Sequence, residues 1–173
     1  MRTKKYVGIT SEIKLCELMS HQLLNANISA QNTVIVTVST DYSSMVGQYL
    51  RHALSWDKEI CDGFGIDVPY PDELWTSDYI IDLHETFKTH NRLLKDKTLL
   101  LVEAGVINGR NYTYVTDFIR KSYDNRIVTL ALFENHTSVF KSDFVGEYYN
   151  DSVEDLTFWW ERDNKHWPAY DLN

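Results

Sequence analysis

Apolar residues form three short, nearly continuous runs along the chain, at residues 33–38 (TVIVTV), 98–102 (TLLLV) and 127–133 (IVTLALF). Short runs rich in β-branched and aliphatic residues are typical of strands that are buried on both faces of a sheet. We therefore predict three central strands. Residues 5–9 (KYVGI) predict a further short strand near the N-terminus.

Between these runs, apolar residues recur at the spacing of amphipathic helices. Thr10 or Ser11 could cap the first helix, with Glu12 in its first turn. Residues 57–92 contain two Gly and two Pro residues, so we expect mainly turns there. Further helices are predicted over residues 45–54, 76–87 and 112–121.

Strands that alternate with helices indicate an α/β fold with a parallel sheet covered on both faces. Right-handed crossovers place the loops that follow parallel strands at one edge of the sheet. The loops at residues 39–44 and 103–111 should therefore be neighbours in space.

The loop at residues 103–111 has the composition of a phosphate-binding loop. Glycines let backbone N–H groups turn toward an anion, and the start of a helix near Asn111 adds positive potential. Glu103 could hold a pair of sugar hydroxyls or a water molecule on Mg²⁺. A tight turn with a solvated Glu103 explains the spacing about as well. The other candidate groups are Gly105, Asn108, Gly109, Arg110 and Thr113.

The loop at residues 39–44 (STDYSS) is a weaker candidate for anion binding. It offers hydroxyls and backbone N–H groups but no Lys, Arg or Gly. Asp41 would repel a diphosphate. An ordinary capped turn before a helix is the simpler interpretation.

Composition limits the classes of partner. The 173 residues favour one domain, and 43% hydrophobic residues allow a normal core. The net charge of -8 argues against nucleic acid or an anionic membrane as the main partner. Cys16 and Cys61 form no CxxC pair, so we expect reduced thiols rather than a disulfide or a zinc site. No apolar stretch is long enough for a membrane span, and the N-terminus has no apolar signal core, so we expect a cytoplasmic protein.

Four blocks of the sequence resemble, in order, the type I phosphoribosyltransferases, and most closely the hypoxanthine/xanthine branch. The blocks are residues 5–24, 33–54, 99–113 and 127–161. The resemblance implies a single domain over residues 1–173, with a phosphoribosyltransferase-like (Rossmann-like) parallel sheet flanked by helices. It also implies a small hood that carries the base site at residues 134–173, and a mobile or linking region at residues 57–97.

Enzymes of this family bind phosphoribosyl pyrophosphate with Mg²⁺ and displace the pyrophosphate with a nitrogen of a base. The resemblance therefore implies a small phosphorylated ligand, magnesium as cofactor, and no nucleic acid or membrane partner. The family often forms homodimers, which exposed aromatic surface could support here. A divergent member could also have lost catalysis and serve as a nucleotide-binding, sugar-phosphate-binding or protein-interaction module.

The family's central motif has two acids followed by Thr-Gly-x-Thr. Glu103 takes the first acidic place, as catalytic residue and metal ligand, while Ala104 takes the second. The implied phosphate- and ribose-binding residues are Ala104, Gly105, Val106, Ile107, Asn108, Gly109, Arg110, Asn111 and Thr113.

The pyrophosphate loop departs from the family pattern, which is commonly Arg-Gly-Gly. The corresponding residues here are Ser39, Thr40, Asp41 and Tyr42. They carry neither the positive charge nor the glycine flexibility of the family's loop, although a departing diphosphate needs its charge neutralised.

The base site departs as well. The purine enzymes use a Lys shortly after the third strand to bind the oxygen of the base, and Phe133 or Glu134 takes that place here. Residues 143–146 match the segment before the family's next strand, and Trp160 with Glu161 matches its closing Trp-acid pair. The implied base-binding residues are Phe144, Val145, Leu156, Trp160 and Glu161.

Overall fold

The computed structural model describes residues 3–38, 40–55, 60–68, 77–150 and 153–158. Its elements in chain order are β1 (Thr3–Val7), α1 (Ile9–Asn25), β2 (Thr33–Val38), α2 (Thr40–Leu54), β3 (Asp62–Ile66), α3 (Ser77–Thr89), α4 (Asn91–Leu94), β4 (Thr98–Val106), α5 (Arg110–Ser122), β5 (Ile127–Asn135), β6 (Phe144–Tyr149) and β7 (Val153–Phe158).

The main sheet has five strands in the order β3-β2-β4-β5-β6. All four pairings between its neighbouring strands are parallel. Strands β1 and β7 form a separate parallel pair. The predicted α/β class with a parallel sheet is confirmed, and the carboxyl ends of the five strands lie at one edge.

Two clusters of buried apolar residues cover the two faces of the main sheet. The first cluster includes Met19 from α1 and Leu50 from α2. The second includes Phe87 from α3, and Tyr112 with Ile119 from α5. The prediction that helices cover both faces is therefore confirmed. Successive side chains of β2 point to opposite faces of the sheet, so Ile35 belongs to the first cluster and Val36 to the second.

The N-terminal boundaries differ from the prediction. Strand β1 ends at Val7, and Gly8 in extended conformation is the N-cap of α1, so neither Thr10 nor Ser11 caps this helix. Cys16 and Cys61 are buried free thiols, and burial raises their pKa to about 12 and about 11.

Residues 57–92 contain more regular structure than turns alone. The predicted helix over residues 76–87 is confirmed as α3, but β3 was not predicted, because Gly63 and Gly65 suggested a turn. Gly63 instead pairs with Ile35, and a Cβ atom at Gly63 would lie 2.8 Å from the Ile35 carbonyl oxygen. Glycine therefore permits a close strand approach here. None of the helices in the described ranges is both long and apolar enough to cross a membrane.

Candidate functional site

The connections of β2 and β4 diverge. Helix α2 leads from β2 to β3 at one edge of the sheet, while α5 leads from β4 to β5 toward the other edge. The two helices cover opposite faces. The carboxyl ends of β2 and β4 thus form a topological switch point, the place where α/β sheets usually bind ligands. These two strands are direct neighbours, with Thr37 beside Val102, so the residues that follow them leave adjacent strands at one edge, as predicted.

The predicted loop at residues 103–111 is shorter in the structure. Strand β4 continues to Val106 and α5 begins at Arg110, so the connecting loop is residues 107–109. Ala104 is fully buried in the first core cluster. Ala104, Gly105 and Val106 therefore belong to the strand, because its apolar pattern continues past Glu103, and the methyl group of Ala104 cannot replace a second carboxylate.

Gly109 fixes the shape of the loop. Its φ is 75°, a left-handed conformation, and a Cβ atom would lie 2.4 Å from Phe140 Cβ and 2.6 Å from Ser138 Oγ. The Val139 N–H donates to the Asn108 carbonyl oxygen at 3.3 Å. Both the conformation and the limited space require glycine at this position. Its small size allows the loop to pack directly against the segment that follows β5.

Several polar groups of the loop bond within the loop. Asn108 Oδ1 accepts from the Arg110 N–H at 3.0 Å, and Thr113 Oγ1 donates to the Gly109 carbonyl oxygen at 3.0 Å. The side chains of Ile107 and Arg110 are exposed. Asn108 thus occupies one N–H group at the start of α5, and a bound anion would compete with its amide oxygen.

Glu103 is a buried acid at the switch point. Its side chain is 7% exposed, and Asn111 Nδ2 donates to its Oε1 at 3.1 Å. Burial raises the pKa of Glu103 to about 8, and the Asn111 hydrogen bond opposes part of this rise. The prediction that Glu103 begins the loop is wrong, because Glu103 lies inside β4, and its burial also contradicts the alternative of a solvated side chain. Asn111 bonds to this acid.

Magnesium has limited protein support at this edge. In the described ranges no group of three or more His, Cys, Asp or Glu residues lies close enough to hold a metal ion. Mg²⁺ commonly takes one or two protein carboxylates and completes its shell with water and substrate phosphates. Glu103 would supply a single protein ligand to such an ion, with a diphosphate supplying the others, once it had lost the proton that its burial favours.

The region assigned to the pyrophosphate loop is largely helical. Helix α2 begins at Thr40, so the predicted loop at residues 39–44 and the predicted helix start at residue 45 are wrong. Thr40, Asp41 and Tyr42 form the first turn of α2, and Ser39 lies outside the described residues. Ser, Thr and Asp are favoured at a helix N-terminus, and an acid there also suits the helix dipole.

The predicted base-binding residues are spread over two strands and the C-terminal region. Phe144 packs against the first core cluster, and Val145 of β6 pairs with Ala131 of β5. The backbone of Leu156 pairs with Lys5 in the separate two-stranded sheet. Trp160 and Glu161 lie outside the described residues.

A lysine does lie on the connection after the third predicted strand. Strand β5 extends to Asn135, so Phe133 and Glu134 lie inside it. Lys141 follows on the connection to β6, with Nζ 3.7 Å from Glu134 Oε1 and donating to the His136 carbonyl oxygen at 2.9 Å. Sequence reasoning missed Lys141 by counting from the expected strand end. Its position two residues before the matched segment at 143–146 was the available signal.

Comparison with solved structures identifies the fold. A purine phosphoribosyltransferase from Pyrococcus horikoshii is similar with a TM-score of 0.65 and 16% identity, over 98% of this chain and 99% of that one. The xanthine-guanine-hypoxanthine phosphoribosyltransferase of Helicobacter pylori gives 0.62 and 16%, over 95% and 97%. The chain has the phosphoribosyltransferase fold.

A third structural neighbour is a hypothetical protein from Neisseria gonorrhoeae with bound ppGpp. It has a TM-score of 0.70 and 13% identity, over 93% of this chain and 90% of that one. No protein-family model and no curated protein matches the chain. At such identities the likeness establishes the fold, so any role for Glu103 or Lys141 has to be argued from their own geometry.

Proposed function

We propose that this protein binds a 5-phosphoribosyl group at the junction of β4 and α5. It would transfer that group, with Mg²⁺, from phosphoribosyl pyrophosphate to a nucleobase-like acceptor. The observation that carries the proposal is the buried Glu103 at the switch point, bonded by Asn111 and followed by a glycine loop and a helix N-terminus. A carboxyl group beside an anion-binding helix start suits a phosphorylated sugar.

The parts of the ligand would meet different groups. The 5′-phosphate would lie at the first turn of α5, where the exposed Arg110 side chain can pair with it. Glu103 would accept from ribose hydroxyls. Mg²⁺ would neutralise the diphosphate, because the sequence at residues 39–44 offers no Lys or Arg.

The acceptor would approach from the side of β5 and β6. A ring nitrogen would form the new bond to C1 of the ribose while the bond from C1 to the pyrophosphate oxygen breaks. The pyrophosphate leaves with the electron pair, and the nitrogen loses its proton to solvent. Lys141, on the connection after β5, would donate to an oxygen of the acceptor.

A second candidate is nucleotide binding without transfer. The fully buried Ala104 favours it, since one carboxylate would grip the ribose where the family has two. The similar Neisseria protein, which was solved with bound ppGpp, supports this candidate. Both candidates use the same switch point and differ in whether a bond to C1 is broken.

Calorimetric titration separates the two candidates. The ligands are phosphoribosyl pyrophosphate with and without Mg²⁺, ribose 5-phosphate and inosine 5′-monophosphate, each with the wild type and with Glu103→Gln. Glu85→Gln is a control, because Glu85 lies in an exposed ion pair with Lys88. Mg²⁺-dependent binding of the diphosphate, weakened only in Glu103→Gln, supports the transferase and calls for an assay of pyrophosphate release with a panel of bases. Binding of the monophosphates alone supports the second candidate, and binding of none of the ligands overturns both.

A further inference from the structure

Strand β5 and the segment after it contain two buried side-chain atoms that have no hydrogen-bond partner in the described ranges. These atoms are Glu134 Oε1 and Ser142 Oγ. The residues that carry these atoms contact each other. Glu134 is fully buried, and its other oxygen, Oε2, accepts from the Ser142 N–H at 2.9 Å. Buried polar atoms without partners are rare in folded proteins, so this cluster needs an explanation.

Lys141 supplies the positive charge beside this carboxylate. Its Nζ lies 3.7 Å from Glu134 Oε1, and its side chain is 55% exposed. A charge-assisted hydrogen bond between such groups is shorter, at about 2.8 Å. The ammonium is thus attracted by the buried carboxylate without bonding directly to it, and the exposed side chain keeps it open to another acceptor.

The ion pair as a whole contributes little net stability, although removing one partner would leave the other uncompensated. Burying a carboxylate costs free energy, which a half-exposed ammonium at this distance compensates only in part. A buried acid of this kind is therefore better explained by the position that it gives to its partner. The Lys141 donation to the His136 carbonyl oxygen at 2.9 Å restricts that position further.

The cluster is next to the proposed phosphate loop. Glu134 pairs with Val106, the last residue of β4. The connection that carries Lys141 is joined to the loop by the Val139–Asn108 hydrogen bond and by the packing of Phe140 over Gly109. A ligand whose phosphate lies at α5 could therefore extend a heterocycle toward Lys141.

We propose that Glu134 is a positioning residue, which holds the Lys141 ammonium toward a carbonyl oxygen on the base of a bound nucleotide. The inference rests on the proposed binding of a phosphoribosyl ligand. It adds that selection of a carbonyl-bearing base depends on a buried acid that does not touch the ligand.

The test compares two probes, inosine 5′-monophosphate, which carries a carbonyl on its base, and ribose 5-phosphate, which has no base. Glu134→Gln keeps the shape of the side chain and an oxygen for the Ser142 N–H, but it removes the charge that attracts Lys141. We expect Glu134→Gln and Lys141→Met each to weaken inosine monophosphate binding by about tenfold or more, as for the loss of a hydrogen bond from a charged donor. Binding of ribose 5-phosphate should not change.

The double variant separates positioning from general damage. If Glu134 acts through Lys141, Glu134→Gln should have little further effect in the Lys141→Met background. Glu85→Gln and Lys88→Met disrupt an exposed ion pair of 3.3 Å and should bind both probes like the wild type. The control pair is closer, at 3.3 Å, than the Glu134–Lys141 pair at 3.7 Å. An effect on binding that is confined to Glu134 and Lys141 therefore cannot come from the loss of an ion pair as such.

The outcomes separate the two proposals. Equal binding of inosine monophosphate by the wild type and Glu134→Gln overturns the positioning role and leaves the proposed function intact. Equal weakening of both probes, or additive losses in the double variant, also overturns it, because each indicates an indirect structural effect. Binding of neither probe by the wild type overturns the proposed function and this inference with it.

Discussion

Glu103 and Glu134 are two buried glutamates on neighbouring strands, and the side chains beside them differ in charge. Glu103 has a neutral partner, the amide of Asn111 at 3.1 Å, and burial raises its pKa to about 8. Glu134 has a cationic neighbour, the ammonium of Lys141 at 3.7 Å. A buried acid beside a neutral amide can avoid the free-energy cost of a buried charge by keeping its proton. A nearby ammonium instead compensates the charge of a buried carboxylate in part. The first suits contact with a ligand, and the second suits the positioning of a cation.

Gly109 connects the surroundings of the two acids, and its replacement should have the largest effect. Gly109→Ala places a side chain in a left-handed conformation and against both Phe140 Cβ and the Phe140 backbone nitrogen, at 2.4 and 2.9 Å. We expect a loss of about 3–5 kcal/mol in the free energy of unfolding, from conformational strain and overpacking together. Chemical denaturation measures it.

Gly8→Ala is the matched control for that substitution. Gly8 has a φ of -78°, and a Cβ atom there would meet nothing within 4 Å. Gly8→Ala should lower the free energy of unfolding by less than about 1 kcal/mol, as for a change of N-cap residue. Similar losses in the two variants would show that Gly109 does not constrain the loop.

The burial of Glu103, which raises its pKa, predicts an effect of pH on stability. The folded protein should keep a proton on Glu103 up to pH about 8, whereas the unfolded chain loses it near the ordinary glutamate pKa of 4.5. Between these values the folded state binds more protons, so this residue's contribution to stability falls as pH rises and levels off above pH 8. Glu103→Gln should remove that slope, gaining on the order of 3 kcal/mol relative to wild type between pH 5 and 8. Denaturation curves across this range test it, and parallel pH profiles would contradict the raised pKa.

Removal of the Lys141 ammonium beside Glu134 should lower the stability of the protein. Lys141→Met leaves a fully buried carboxylate without its positive neighbour, and should destabilise the protein by about 1–3 kcal/mol at neutral pH. Lys88→Met, whose partner Glu85 is exposed, should change stability by less than about 0.5 kcal/mol. A Lys141→Met variant as stable as the control would mean that the Glu134 charge is compensated by something other than Lys141.

The sequence predicts the framework better than the details of the site. The runs at 33–38, 98–102 and 127–133 specify the central strands, because burial on both faces leaves an unbroken apolar pattern. Strand β3 was not predicted, because its two glycines, which allow a close approach between strands, are also typical of turns. The position of Glu103 after an apolar run indicates the carboxyl end of that strand, but the predicted loop start at residue 103 is wrong, because β4 continues to Val106.

The partners of the two acids could not be predicted in the same way. Whether Asn111 turns toward a phosphate or back to Glu103 depends on side-chain geometry in the first turn of α5. The pairing of Lys141 with Glu134 depends on how the connection after β5 folds back on that strand. Both contacts join residues seven or eight positions apart through tertiary structure, and no periodicity marks them.

Removing the amide that bonds Glu103 should have the smallest effect on stability but a diagnostic one. Asn111→Ala deletes a single hydrogen bond, a loss of about 1 kcal/mol at neutral pH, where Glu103 is mainly protonated. Because this bond favours the charged carboxylate, its removal should raise the pKa of Glu103 further and extend the fall in stability to higher pH. Thr113→Ala, which removes the bond to the Gly109 carbonyl oxygen in the same helical turn, should lower stability without moving the pH profile. If the two variants shift the profile equally, Asn111 does not tune Glu103, and burial alone sets its raised pKa.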